Sequence, residues 1–175
     1  MIGRALTLAA GVSGAAALSQ FPEFSQQYAQ RLGGRVDELR LFVAEFDADA
    51  AALGLTRETA LLDLSQGGQM GAARAETMAG TIARYERLSA DLEALQGAGP
   101  FTRAYRARSL TDPEIAQAAW ADFKPAMPLT FEGAVFSAGG FFGGLGVMGA
   151  LLALLRWPFR KGQNRRTPAS GPPIA

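Results

Sequence analysis

The sequence predicts an all-α membrane protein. Two transmembrane helices enclose a long antiparallel helical hairpin and a short third helix. Three observations lead there. Residues 133–155 carry no charge at all. Residues 23–96 contain no proline, and their apolar positions recur at intervals of three and four. All sixteen acidic residues lie between Glu23 and Glu132, with eleven basic residues beside them, whereas both ends of the chain are basic.

The uncharged run from Gly133 to Leu155 is 23 residues long. At 1.5 Å per residue it makes about 34 Å of helix, enough to cross the hydrocarbon core with some tilt. Five leucines, two valines and three phenylalanines favour insertion there. The flanks agree, with Glu132 on one side and "RWPFRK" on the other, where Trp157 sits at interface depth with cations beyond it.

Six of the nineteen residues in "SAGGFFGGLGVMGALLALL" are glycine. Facing lipid they would gain nothing, because acyl chains are as apolar as leucine. On one face they let a second backbone come close. Gly139, Gly143, Gly146, Ala150 and Ala153 form a stripe at 4-3-4-3 spacing, with Gly140 and Gly144 as a second small pair on a neighbouring face. The stripe is the expected helix-packing interface. The N-terminal segment "IGRALTLAAGVSGAAALSQF" offers a partner, since Gly3, Thr7, Ala10, Gly14 and Ala17 repeat the same spacing. The same segment also reads as a cleaved signal peptide, with Arg4 ahead of a short apolar region and Ala15-Ala16-Ala17 as small residues at the cleavage site. The retained span is the favoured reading.

Between these ends, Val36, Leu39, Val43, Phe46, Ala50 and Leu53 follow a coiled-coil-like rhythm. Gly54 then fits a helix C′ position and Thr56 an N-cap. A second helix carries Leu61, Leu64, Met78, Ile82, Tyr85, Leu88, Leu92 and Leu95, until "GAGP" stops it. Folding the chain about residues 54–55 sets Phe24 against Tyr85, Tyr28 against Ile82, Leu32 against Met78 and Leu39 against Met70. Phe42 falls opposite Gly67-Gly68, and a kink at "GGQMG" is the alternative use of those glycines. Gly67-Gly68-Gln69 also matches the peptide-releasing tripeptide of translation release factors. It does so in three residues without the basic surroundings, and is read as coincidence.

Beyond the hairpin, Arg103, Arg106 and Arg108 alternate with Phe101 and Tyr105 in "FTRAYRARSL". That pattern suits anionic lipid or an acidic partner surface, and equally a solvated helix face. "TDPEIAQAAWADF" reads as a short helix with Asp112 as N-cap, Pro113 at its first position, and Ile115, Ala119, Trp120 and Phe123 inward. The layout is therefore a first span over 1–20, the hairpin over 21–100, a helical segment and linker over 101–130, a second span over 131–157, and a disordered basic tail over 158–175.

No catalytic, cofactor-binding or metal-binding residue is assigned. The chain has no cysteine and no histidine, which removes thiolate chemistry, the commonest general base and the commonest metal ligand. The acid pairs Asp37-Glu38 and Asp47/Asp49 sit where a helix surface should be charged, with no glycine-organised calcium loop around them.

The run "SQFPEFSQQYAQRLGGRVDELRLFVAEFDADAAALGLTRETAL", with an apolar segment at each end, resembles a bacterial membrane family catalogued as domain of unknown function 2937. The resemblance covers most of the chain short of the tail. It implies the two-span layout and supplies no functional residues.

The expected role is a non-enzymatic accessory or scaffold protein of the bacterial inner membrane. Its termini are expected in the cytoplasm and its middle region in the periplasm. Its expected partners are membrane lipid and a protein complex, or further copies of itself, and not nucleic acid. A small oligomeric channel or transport component is the alternative. Against it, neither span carries an ionisable residue within its apolar core.

Overall fold

A computed structural model describes residues 1–125 and 129–160, the side chains of 157–160 excepted. The side chain of the expected interfacial Trp157 and the tail from 161 onward fall outside that description, while residues 158–160, expected to open the disordered tail, continue the last helix. Every regular element is helical, and among the described residues there is no strand. In chain order these are α1 (Ile2–Ser19), α2 (Phe21–Ala52), α3 (Arg57–Ser65), α4 (Gly68–Leu95), α5 (Pro100–Tyr105), a 3-10 turn (Ala107–Leu110), α6 (Pro113–Ala121) and α7 (Phe131–Arg160). They form two compact units, one of Met1–Phe21 with Met127–Ala175 and one of Pro22–Ala126.

The first unit is α1 packed antiparallel against α7. Gly14 lies against Gly140, Ala10 and Gly11 against Gly144, and Gly3 beside Leu152 and Arg156. The stretches Ile2–Ala52 and Phe131–Arg156 each contain a helix long and apolar enough to cross a membrane. At one end of the pair the Phe21 and Phe136 rings meet with centroids 5.0 Å apart.

The second unit is built on α2 and α4. Its core joins Tyr28, Leu32, Val36 and Leu39 of α2, Leu88 and Leu95 of α4, and Ile115 and Ala119 of α6. The seam expected on α2 is buried at Val36, Leu39, Val43 and Ala50, but its last member, Leu53, is exposed. Leu53 already belongs to the turn. There Gly54 takes φ +72°, and the Leu55 N–H donates to the Ala50 carbonyl at 2.9 Å, which closes α2 in a Schellman cap. Thr56 caps α3, its hydroxyl accepting from the Thr59 N–H at 3.3 Å.

The expected single second helix is divided. α3 ends at Ser65, and α4 restarts at Gly68 with φ +78°, a conformation costly for any residue with a Cβ. The whole of α3 is thereby drawn into the reversal, and the hairpin register changes. A Cβ built on Gly33 would lie 3.9 Å from Leu92 Cδ1, and Met78 lines a cavity with Phe42 and Phe46. Met70, expected opposite Leu39, is exposed. The pairings of Tyr28 with Ile82, Leu32 with Met78 and Leu39 with Met70 are therefore corrected. Gly33 near Leu92, and Phe42 and Phe46 near Met78, lie about three to four turns further along α4 than a fold about residues 54–55 expects, at 3.6 residues per turn. Nor do Gly67 and Gly68 form a notch for Phe42. The close approach in this region is between Gly71 and the Leu64 carbonyl.

Candidate functional site

Within the pair α1 and α7, the contact is made backbone to backbone. A Cβ on Gly140 would fall 2.6 Å from the Gly14 carbonyl carbon, and one on Gly144 would fall 2.8 Å from that of Ala10. A Cβ on Gly14 would in turn lie 3.0 Å from the Gly140 carbonyl carbon, with the Gly140 oxygen closer still. Real Cβ atoms do not sit so close. Only glycine permits this crossing, where dispersion and Cα–H···O contacts replace side-chain packing. Gly11 extends the contact: its Cβ would meet Leu145 Cδ2 at 2.9 Å and Phe141 Cδ2 at 3.0 Å. The Ser137 hydroxyl adds a long hydrogen bond to the Ala15 carbonyl, 3.5 Å.

The expected small-residue faces fare differently on the two helices. On α1, Gly3, Thr7, Ala10 and Gly14 are partly covered, while Ala17 is exposed. On α7, the stripe of Gly139, Gly143, Gly146, Ala150 and Ala153 does not face α1. All five residues are exposed, and no atom lies within 4 Å of a Cβ built on any of the three glycines. The second pair, Gly140 and Gly144, makes the contact instead. The correction has a simple cause: residues 140 and 144 are one turn apart and stack on one face, and so are 139 and 143. Spacing alone gives two faces, and α1 settles on the one flanked by Phe141 and Leu145, where its own Gly11 leaves room for those side chains.

In the second unit the polar groups concentrate around Asp112. Its side chain is 4% exposed and lies 3.3 Å from Arg84 Nη2 and 3.5 Å from Arg87 Nη2. One of its oxygens also accepts from the Ile115 N–H at 3.2 Å, the N-cap expected for α6. Its backbone N–H donates to the Tyr28 hydroxyl at 3.0 Å. Burial raises the Tyr28 phenol above its ordinary pKa, against the lowering effect of that backbone hydrogen bond. Glu114 reaches Arg84 at 2.9 Å and Arg35 at 3.5 Å, and Asp122 pairs with Arg31. α6 is thus held to α2 and α4 by three carboxylates on four arginines. Each of these carboxylates is engaged by a guanidinium, and the arrangement fixes a helix in place.

Sequence reasoning found the Asp112 cap and missed its burial. The available signal was Tyr28, a residue with a polar tip at an apolar seam position, which requires a hydrogen-bonding partner. Trp120, expected inward, is 68% exposed. It stacks on Phe123 at 5.6 Å, with Phe24 edge-on at 6.1 Å. Among the arginines of 103–108, Arg106 donates to the Ala94 carbonyl, while the interleaved Tyr105 is 91% exposed.

Three of the four acids in these pairs are ion-paired, Asp37 and Glu38 along α2 and Asp47 to α3. Asp47 receives a bidentate pair from Arg57, 2.7 and 2.5 Å, and that guanidinium holds its carboxyl below the usual range. Asp37 meets Arg40 at 3.2 Å and Glu38 meets Arg35 at 2.8 Å. Among the described residues no three acidic side chains gather where a metal ion could be held.

Fold and contacts define an all-helical protein in which two helices able to cross a membrane flank a separate helical domain. The chain belongs to the family described as protein of unknown function DUF2937, whose profile matches residues 2–161. No curated protein and no solved structure matches it.

Proposed function

We propose that this is a non-enzymatic accessory or scaffold protein of the bacterial inner membrane, presenting its helical hairpin in the periplasm to a partner membrane complex. The single observation that carries the reading is the exposed face of α7. Gly139, Gly143 and Gly146, with Ala150 and Ala153, remain open after α1 has packed against the other glycines. A membrane helix with two glycine faces, one already occupied, is suited to receive a further helix. The charge distribution supports the orientation. Arg4 stands before the first span and Arg156, Arg160, Lys161, Arg165 and Arg166 follow the second, while every acidic residue lies between the spans or at Glu132.

The test is affinity purification of the full chain in mild detergent, followed by mass spectrometry of the proteins retained. A reproducible membrane-protein partner, lost on Gly143→Leu, is the expected result. A pure homo-oligomer that conducts ions after reconstitution would overturn the accessory role in favour of a channel.

A further inference from the structure

Two cations converge on the α1–α7 pair at the end remote from Glu132. Arg4 and Arg156 line one cleft of about 470 Å³ together with Gly3, Thr7, Leu8 and Leu145. The approach is close: a Cβ built on Gly3 would stand 3.0 Å from Arg156 Nη2, so that guanidinium lies over α1. Among the described residues no carboxylate pairs with either arginine. The sequence gives the reason, for the unit of Met1–Phe21 and Met127–Ala175 holds a single acid, Glu132. It precedes Arg156 by 24 residues of continuous helix, about 36 Å at 1.5 Å per residue. Two like charges facing one cleft at the edge of an apolar helix pair repel each other and call for an anion from outside.

The form of the cleft specifies the anion. Arg4 and Leu8 are one turn apart on the same face of α1, so the wall changes from guanidinium to leucine along the helix axis, and Leu145 of α7 continues the apolar part. The Thr7 hydroxyl spends its proton on the Gly3 carbonyl, 2.9 Å away, leaving the guanidinium forks as the side-chain donors in a lining that Met1 completes. Planar forks match phosphate oxygens two at a time. We propose that this cleft binds an anionic glycerophospholipid, its phosphate between Arg4 and Arg156 and its glycerol and first acyl carbons along Leu8 and Leu145. The assignment rests on the membrane reading of α1 and α7.

The test is phospholipid retained by the full chain after purification in mild detergent, with phosphatidylglycerol as the probe. Three proteins are compared: wild type, Arg4→Gln with Arg156→Gln, and Arg165→Gln with Arg166→Gln, which removes the same charge from the tail. Wild type and the tail variant retain phosphatidylglycerol. The cleft variant retains roughly tenfold less, the loss expected when charge-assisted hydrogen bonds to a phosphate are removed. Equal retention by cleft and tail variants overturns the site. Release of the lipid by millimolar inorganic phosphate identifies a free-phosphate site and overturns the lipid assignment. Carbonate extraction of the wild-type chain from membranes is the separate control. A chain that washes off refutes the membrane reading and the site with it, whereas a chain that stays while the variants retain equal lipid refutes the site alone.

Discussion

Tyr28 and Asp112 are 84 residues apart in sequence, and the backbone N–H of Asp112 donates to the Tyr28 hydroxyl at 3.0 Å in the interior of the helical domain. The same Asp112 caps α6 and faces Arg84 and Arg87. One buried residue thus ties α6 to both long helices. Removing its carboxylate takes one of two partners from Arg84, which keeps Glu114, takes the partner of the exposed Arg87, and opens a helix start. Asp112→Ala is expected to cost about 2–4 kcal/mol, the loss of a cap plus broken charge-assisted bonds. Asp112→Asn keeps the cap and should cost less. Thermal unfolding of the full chain in detergent checks the order, and equal effects would show that the cap contributes nothing.

Tyr28→Phe removes only the acceptor and leaves the Asp112 N–H buried without a partner. About 1–2 kcal/mol of destabilisation is expected, within the range for a stranded donor. A change near zero would mean that water replaces the hydroxyl.

For the membrane pair, the glycines at the crossing give a sharp contrast. Gly144→Leu drives a side chain into the Ala10 carbonyl and should cost about 1–3 kcal/mol of packing, as overfilling a tight site does. Gly143→Leu meets open space within the chain and should leave the α1–α7 contact intact. Both should insert equally well, since lipid solvates leucine. Detergent stability of the two variants decides the matter, and a larger loss for Gly143→Leu would put the contact on the wrong face.

The hairpin register is open to crosslinking. Cysteines at Gly33 and Leu92 should join efficiently through a short bifunctional thiol reagent, because the chain has no cysteine of its own to interfere. Cysteines at Leu32 and Met78 should not. The reverse outcome would restore a simple fold about residues 54–55.

The Asp47–Arg57 pair supplies a pH dependence. The folded carboxyl titrates below its unfolded value because Arg57 holds its charged form. Its contribution is therefore present above the unfolded carboxylate pKa, near 4, and is lost as pH falls through the folded one. The pair is partly exposed, so the effect is small. Asp47→Asn should lessen the acid sensitivity of unfolding between about pH 5 and 3 and leave stability at neutral pH slightly lower. An unchanged acid limb would show the pair to be absent in solution.

Reporter fusions at position 60 and at the C-terminus should give opposite signals, periplasmic and cytoplasmic. A cytoplasmic signal at position 60 would invert the proposed orientation.

What the sequence determined by itself are the features that depend on near neighbours. The helical class follows from apolar spacing. The Gly54 cap, the Thr56 and Asp112 N-caps and the apolar character of the two terminal helices are set within a few residues of chain. The small-residue face of α1 was legible for the same reason. Tertiary structure decided what depends on distant partners. Two glycine faces on α7 have equal periodicity, and only the shape of α1, with Gly11 opposite Phe141 and Leu145, selects Gly140 and Gly144. The break at Gly68 draws α3 into the turn and moves Leu92 opposite Gly33 and Met78 beside Phe42 and Phe46, a displacement that no local pattern registers. Asp112 looks like an ordinary surface cap in sequence. It is buried because α6 is closed down on α2 and α4 by arginines that lie 25 or more residues away along the chain.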